Sequence, residues 1–216
     1  MSKETKDGRA VHYGEIDLSW HPSGDWIIIE MVERPAHPVF EIVPEAGEIA
    51  PKQEGVVVSV GTGRWNPLLG QFEPVYIRPG DKVMFDEQAG TEIMINNKRH
   101  KHMRIVEIDA VATDGNSFGW RSMGDFIFVE ADPPEEQIGN IFLAPSAMED
   151  KRTGTVLCVG DGRWNPFKGE YIPLPFGPGD KVLFGEYSGS LSNIDGKFYK
   201  HMKASEIVAY KHKEEL

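Results

Sequence analysis

The sequence predicts an all-β protein made of two tandem copies of one small β-barrel, joined by a short linker. Three observations carry this expectation. The chain repeats itself over a whole domain's length, its apolar runs are short and rich in β-branched and aromatic residues, and turn residues separate those runs at regular intervals.

The repeat is the strongest of the three. Residues 55–111 align without a gap on residues 154–210 at a constant offset of 99, and 27 of the 57 paired positions are identical. The shared blocks are Gly-x-Gly-Arg-Trp-Asn-Pro (Gly61 to Pro67, Gly160 to Pro166) and Pro-Gly-Asp-Lys-Val-x-Phe (Pro79 to Phe85, Pro178 to Phe184). His-Met (His102, Met103; His201, Met202) and Glu-Ile (Glu107, Ile108; Glu206, Ile207) follow. Upstream the match continues at offset 100, pairing Trp20 with Trp120 and Gly24-Asp25 with Gly124-Asp125. A period near 100 residues is too long for a solenoid unit and equals a small domain. The expected organisation is an N-terminal extension over 1–21, a first barrel over 22–111, a linker over 112–121, a second barrel over 122–211 and a tail over 212–216.

Within each copy the strands follow from composition. Asp25 to Met31 and Asp125 to Glu130 are aromatic and β-branched runs bounded by Gly and Pro; Val56 to Val60 and Thr155 to Val159 are similar, as are Lys82 to Phe85 and Lys181 to Phe184. Asn66-Pro67, Pro79-Gly80-Asp81, Asn165-Pro166, Pro178-Gly179-Asp180 and Asp195-Gly196 supply the turns between them. No window sustains a period of 3.6 over three turns, so no helix is expected.

The bulk composition excludes several function classes. A formal net charge of −11 over 216 residues argues against phosphate backbones and anionic lipid, since both need a basic face. No apolar stretch approaches the ~20 residues of a membrane helix. Cys158 is the single cysteine and sits in the apolar run Thr155 to Val159, where a buried, inert thiol is expected rather than a disulfide or a thiolate metal cage. Residues 1–11 are polar with mixed charge, unlike a signal or transit peptide. These features point to a reducing cytoplasm.

One segment stands apart. Ala131 to Thr153 carries Pro133, Pro134, Glu135, Glu136, Gln137, Glu149, Asp150, Lys151 and Arg152, a composition that buries too little to order itself cheaply. In its middle lies Ile141-Phe142-Leu143, set off by Gly139 and Pro145. Such a tripeptide is either a docking peptide, ordered when a partner supplies a groove, or another barrel strand. Burying three large apolar side chains gives about 1.5–3 kcal/mol each. Ordering the loop takes back on the order of 2–5 kcal/mol. A single docking site is therefore weak, and several on one rigid ring bind through avidity. The first copy places Ile42-Val43-Pro44 at the matching distance before Gly55, with Val39-Phe40 just ahead; Pro44 lacks the backbone donor that an added strand would use.

The second copy resembles the GroES, or chaperonin-10, family along nearly its whole length. The resemblance rests on Gly139-Asn140-Ile141-Phe142-Leu143, Gly154 to Gly162, Pro178 to Phe184, Glu186-Tyr187-Ser188-Gly189, Ile194-Asp195-Gly196 and the ending Met202 to Ala209. The first copy is similar but weaker, with Gln88 where the second has Tyr187. The resemblance implies GroES-like barrels that assemble into a dome-shaped ring. It implies loops that carry an apolar tripeptide into an ATP-driven GroEL-type chaperonin, here Ile141, Phe142 and Leu143, and less closely Ile42, Val43 and Pro44. Capping encloses a chamber for unfolded client proteins. ATP belongs to the partner, so no cofactor is expected on this chain. The hairpins at Trp65-Asn66-Pro67 and Trp164-Asn165-Pro166 fall at the family's roof position, although Trp-Asn-Pro is unusual there. The family's rings have seven barrels, which two-barrel chains cannot supply alone. Some barrels stay unused, the ring is even-numbered, or single-barrel partners mix in. The arrangement resembles plastid tandem co-chaperonins, while the expected setting is the cytoplasm of a bacterium or of a virus-infected host.

Rival readings are weaker. His100-x-His102 places two imidazoles on one strand face, but no third ligand lies nearby and the second copy has Tyr199 at the first position, so no metal site is expected. GroES-like barrels occur in medium-chain dehydrogenases, yet no dinucleotide fingerprint, P-loop or nucleophile arrangement is present, and no catalytic residue is assigned. Gly61-x-Gly63 and Gly160-x-Gly162 lead into Trp-Asn-Pro turns instead of helices, which disfavours a phosphate cradle. A nucleic-acid-binding barrel is disfavoured by the charge. A structural or adaptor double barrel that has lost chaperonin binding is the main alternative.

Overall fold

The structure, a computed structural model, describes residues 19–32, 52–133, 137–138, 141–142 and 152–215. The chain divides into two compact units, one covering Met1–Ala112 with Asn165–Glu170, the other Thr113–Trp164 with Tyr171–Leu216. Among the described residues all regular structure is strand or short 3-10 helix, as the sequence predicts.

The first copy contains β1 (Trp26–Met31), β2 (Gln53–Val60), β3 (Trp65–Asn66), β4 (Gln71–Phe72), β5 (Lys82–Phe85), β6 (Thr91–Ile95), β7 (Lys98–Arg104) and β8 (Ile108–Ala112). After the short β9 (Trp120–Ser122), the second copy has β10 (Phe126–Ala131), β11 (Gln137–Ile138), β12 (Ile141–Phe142), β13 (Thr153–Val159), β14 (Arg163–Asn165) and β15 (Glu170–Ile172). It continues with β16 (Lys181–Phe184), β17 (Ser190–Ile194), β18 (Lys197–Lys203) and β19 (Ile207–Lys211).

The main sheet of the first copy contains the order β6-β7-β1-β2-β5-β8, and that of the second runs β17-β18-β10-β13-β16-β19. These are the same order, strand for strand. Every pairing between these strands is antiparallel, and the irregularities recur at matching places: Ile28/Ile29 and Phe128/Val129, Met84/Phe85 and Leu183/Phe184. Bulges of this kind bend a strand and increase its twist, which curves a small sheet into a barrel.

Alternation along the strands selects the core. In the second unit Ile127, Val129, Val156, Phe176, Val182, Phe184 and Met202 form one buried cluster. The first unit buries the equivalent residues Ile27, Ile29, Val57, Ile77, Val83, Phe85 and Met103. Cys158 is fully buried, and burial pushes its thiol up to about 11, consistent with an inert packing role.

The Gly-x-Gly motif is a packing device. Gly61 N–H donates to the Trp26 carbonyl at 2.9 Å and Gly63 N–H to that of Gly24 at 2.8 Å; Gly160 and Gly162 repeat this with Phe126 and Gly124 at 3.0 and 2.9 Å. Gly63 and Gly162 have φ of 95° and 105°, and a Cβ there would meet the Glu73 or Ile172 carbonyl oxygen. The following Trp-Asn-Pro blocks build the β3–β4 and β14–β15 hairpins. Asn66 Oδ1 accepts from Leu68 N–H at 3.0 Å and Asn165 Oδ1 from Phe167 N–H at 3.1 Å, an Asx turn in each copy. Trp65 meets Phe72 edge-on at 5.2 Å and Trp164 meets Tyr171 at 5.0 Å, so the tryptophans serve as cross-strand aromatic partners.

Candidate functional site

Each copy carries a long segment between its first two main strands, and its neck is built the same way in both. Val32 N–H donates to the Glu54 carbonyl at 3.2 Å, and Asp132 N–H donates to the Thr153 carbonyl at 2.9 Å. These pairs close the entry strand onto the exit strand at equivalent repeat positions. The lysine that opens the Lys-Val-x-Phe strand strengthens both necks, with its carboxylate partner on opposite sides. Lys82 pairs with Glu54 on the exit strand at 2.5 Å, whereas Lys181 pairs with Asp132 on the entry strand at 2.5 Å. In the second copy Thr153 Oγ1 also donates to Asp132 at 2.7 Å.

Inside the second segment β11 and β12 pair antiparallel, with Gln137 opposite Phe142 and Ile138 opposite Ile141. This two-stranded ladder is separate from the six-stranded sheet. Ile141 and Phe142 are thus in extended backbone on a local hairpin and are not a strand of the barrel sheet. Leu143 of the second tripeptide, and Ile42, Val43 and Pro44 of the first, lie outside the described residues.

The anchors next to the two necks differ in a way that sequence reasoning missed. In the first copy Lys52 is 3% exposed and its ammonium bridges Asp86 at 2.6 Å and Asp109 at 2.9 Å. The second copy has Gly185 and Val208 where Asp86 and Asp109 stand, so both carboxylates are missing there; Lys151, which matches Lys52, lies outside the described residues, and its neighbour Arg152 meets Glu186 in the open at 2.7 Å. The buried pair Lys52–Asp109 is destabilised strongly by losing either member, whereas Asp86, 65% exposed, and the open Arg152–Glu186 pair are each worth little. Burial raises the Asp109 carboxyl from its usual 3.8 to about 6, against the attraction of Lys52 and with the neighbouring Asp86 adding to the rise.

A pH dependence follows. Because the folded value lies above the unfolded one, the fold binds a proton between about pH 6 and 3.8 that the unfolded chain does not, so Asp109's contribution falls as pH rises through that window. Asp109→Asn removes this slope. Relative to the unsubstituted protein, the variant is expected to gain about 2 kcal/mol between about pH 4.5 and about pH 7, read from urea midpoints at the two values.

The two histidines of the first copy lie in β7. His100 is 2% exposed, its Nδ1 within 3.1 Å of the Lys98 carbonyl, and His102 faces the Trp26 ring at 5.3 Å. Among the described residues no group of three or more His, Cys, Asp or Glu stands close enough to hold a metal. No helix among them is long and apolar enough to cross a membrane.

A barrel repeated in tandem, with the same closed neck between the first two main strands of each copy, defines a class of double-barrel proteins. The family model described as "Chaperonin 10 Kd subunit" matches this chain twice, over residues 19–112 and 120–210. The chain belongs to that family. It is 26% identical over 191 residues to the "20 kDa chaperonin, chloroplastic" of Arabidopsis thaliana, a match covering 87% of this chain and 74% of that protein. It is 39% identical over 90 residues to the "Co-chaperonin GroES" of Tetragenococcus halophilus, covering 41% of this chain and 95% of the other. The GroES of Pelagibacter ubique is 38% identical over 90 residues. One relative thus spans most of the double chain and the others one module of it.

Proposed function

We propose that this protein is a co-chaperonin that caps a GroEL-type, ATP-driven chaperonin ring. Its main docking element is Ile141-Phe142-Leu143, with Ile42-Val43-Pro44 as a lesser one. The observation that carries this reading is the double family match, one module per barrel. The pairing of β11 with β12 supports it, because Ile141 and Phe142 lie in extended backbone outside the barrel sheet, the conformation in which a peptide adds to a partner's groove. The closed necks support it too, since each fixes the two ends of its segment to the barrel.

The barrels assemble into a ring, and the chamber beneath it receives unfolded client proteins. Many weak sites held by one ring engage together and release together when the partner's grooves change shape. The nucleotide acts on the partner; this chain contributes contacts and carries no catalytic group or cofactor of its own. The expected setting is the cytoplasm of a bacterium or of a virus-infected host. Co-sedimentation with a GroEL-type double ring tests the proposal. A complex is expected with ATP or ADP and not without nucleotide. Absence of any nucleotide-dependent complex, with chaperonins from several hosts tried, would leave the adaptor reading in its place. Native mass spectrometry of the free protein then counts the barrels per ring.

A further inference from the structure

The outer face of β1, β6 and β7 in the first barrel holds an open apolar groove of about 240 Å³, lined by Trp20, Pro22, Trp26, Ile28, Ile93 and His102. That exceeds the ~150 Å³ cavity that admits a benzene-sized group. Trp20 is 63% and Trp26 36% exposed at its rim.

The second barrel covers the same face. Phe118, from the chain just before β9, packs on Phe128 at 5.6 Å and meets Tyr199 edge-on at 5.3 Å. His201 stacks on Phe128 at 4.4 Å and on Phe126 at 4.8 Å. Phe128 is fully buried and His201 6% exposed, whereas their counterparts Ile28 and His102 are 8% exposed and half-buried. At the repeat offset of 100 that pairs Trp20 with Trp120, the residue matching Phe118 is Leu18. Leu18 stands two residues before Trp20, which itself lines the groove. Leu18 lies outside the described residues; two residues of chain span at most about 7 Å, which puts the groove within its reach.

We propose that the N-terminal segment ending at Leu18 docks on the first barrel of its own chain, with Leu18 filling the Trp20–Trp26–Ile93 groove as Phe118 covers the second barrel. Leucine is an apolar side chain of a size that a groove of about 240 Å³ admits. The extension is then part of the first barrel's packing and not a free arm.

Two measurements on the full chain test this. In a Cys158→Ala background, Leu18→Cys with Ile93→Cys is expected to form a disulfide within one chain on mild oxidation. Leu18→Cys with Met94→Cys, whose side chain is exposed on the neighbouring residue of β6, is expected not to. Separately, Leu18→Asp is expected to speed amide exchange in β1, β6 and β7 roughly tenfold or more while leaving β10, β17 and β18 unchanged. The proposal stands on both results together. A cross-link running between chains overturns it in favour of a second copy's segment. A missing Ile93 cross-link, or an unchanged exchange pattern, overturns it outright.

Discussion

Phe142→Asp is expected to abolish the nucleotide-dependent complex with a GroEL-type chaperonin while both barrels stay folded. The fold is expected to tolerate the change because, among the described residues, β11 and β12 pair with each other and lie outside the sheet that holds the second core. The proposed docking is expected not to tolerate it. An apolar groove that receives phenylalanine loses about 1.5–3 kcal/mol per loop, before the cost of placing a carboxylate there. Each 1.4 kcal/mol is about tenfold in affinity, and the loss compounds over every loop that must engage together. Co-sedimentation with ADP reads the loss, and circular dichroism with amide exchange reads the intact fold. Val43→Asp is expected to weaken the complex less, because the first tripeptide already ends in Pro44, which lacks the N–H an added strand needs. A Phe142→Asp protein that still assists refolding would remove the second loop from its assigned role.

Phe184→Ala is expected to have the largest effect on stability, about 3–5 kcal/mol. Phe184 is 2% exposed at the centre of the second cluster, packed with Ile127, Val129, Val156, Phe176, Val182 and Met202. Against a total of about 5–15 kcal/mol for a small domain, such a loss brings the second barrel close to unfolding. Its sequence neighbour Leu183 is 40% exposed, so Leu183→Ala is expected to cost no more than about 1 kcal/mol. Amide exchange in β13, β16 and β18 compares the two variants. A larger effect at Leu183 than at Phe184 would mean that the strand presents its other face to the core. The second tripeptide depends on this barrel through the neck at Asp132 and Thr153, so Phe184→Ala is also expected to weaken chaperonin capture.

The strands and turns were legible because their signals are local. Val56 to Val60 and Thr155 to Val159 fall within β2 and β13, and Lys82 to Phe85 and Lys181 to Phe184 coincide with β5 and β16. Asn66 and Asn165 close their hairpins through their own side chains. The tripeptide at Ile141 stood out because an apolar block in a polar, Pro-broken stretch contrasts with its neighbours. Sequence alone left open whether it was a docking peptide or a barrel strand, since short apolar runs have no distinguishing period; the pairing of β12 with β11 takes it out of the barrel sheet.

By itself the sequence determined that one module occurs twice, that each copy is built of short strands, and which family those modules join. These follow from repeated residues and from turn chemistry that acts over a few positions. Only the tertiary structure decided the strand order β6-β7-β1-β2-β5-β8, the core face of each strand, and the differences between the two copies. Lys52 finds Asp86 and Asp109 across 34 and 57 residues of chain, and nothing near Lys52 announces a buried cation. Likewise the groove beside Trp20 exists because β1, β6 and β7 meet there, and no composition window contains all three. Long-range pairing sets which face each side chain takes, and a slip of one residue would reverse every assignment.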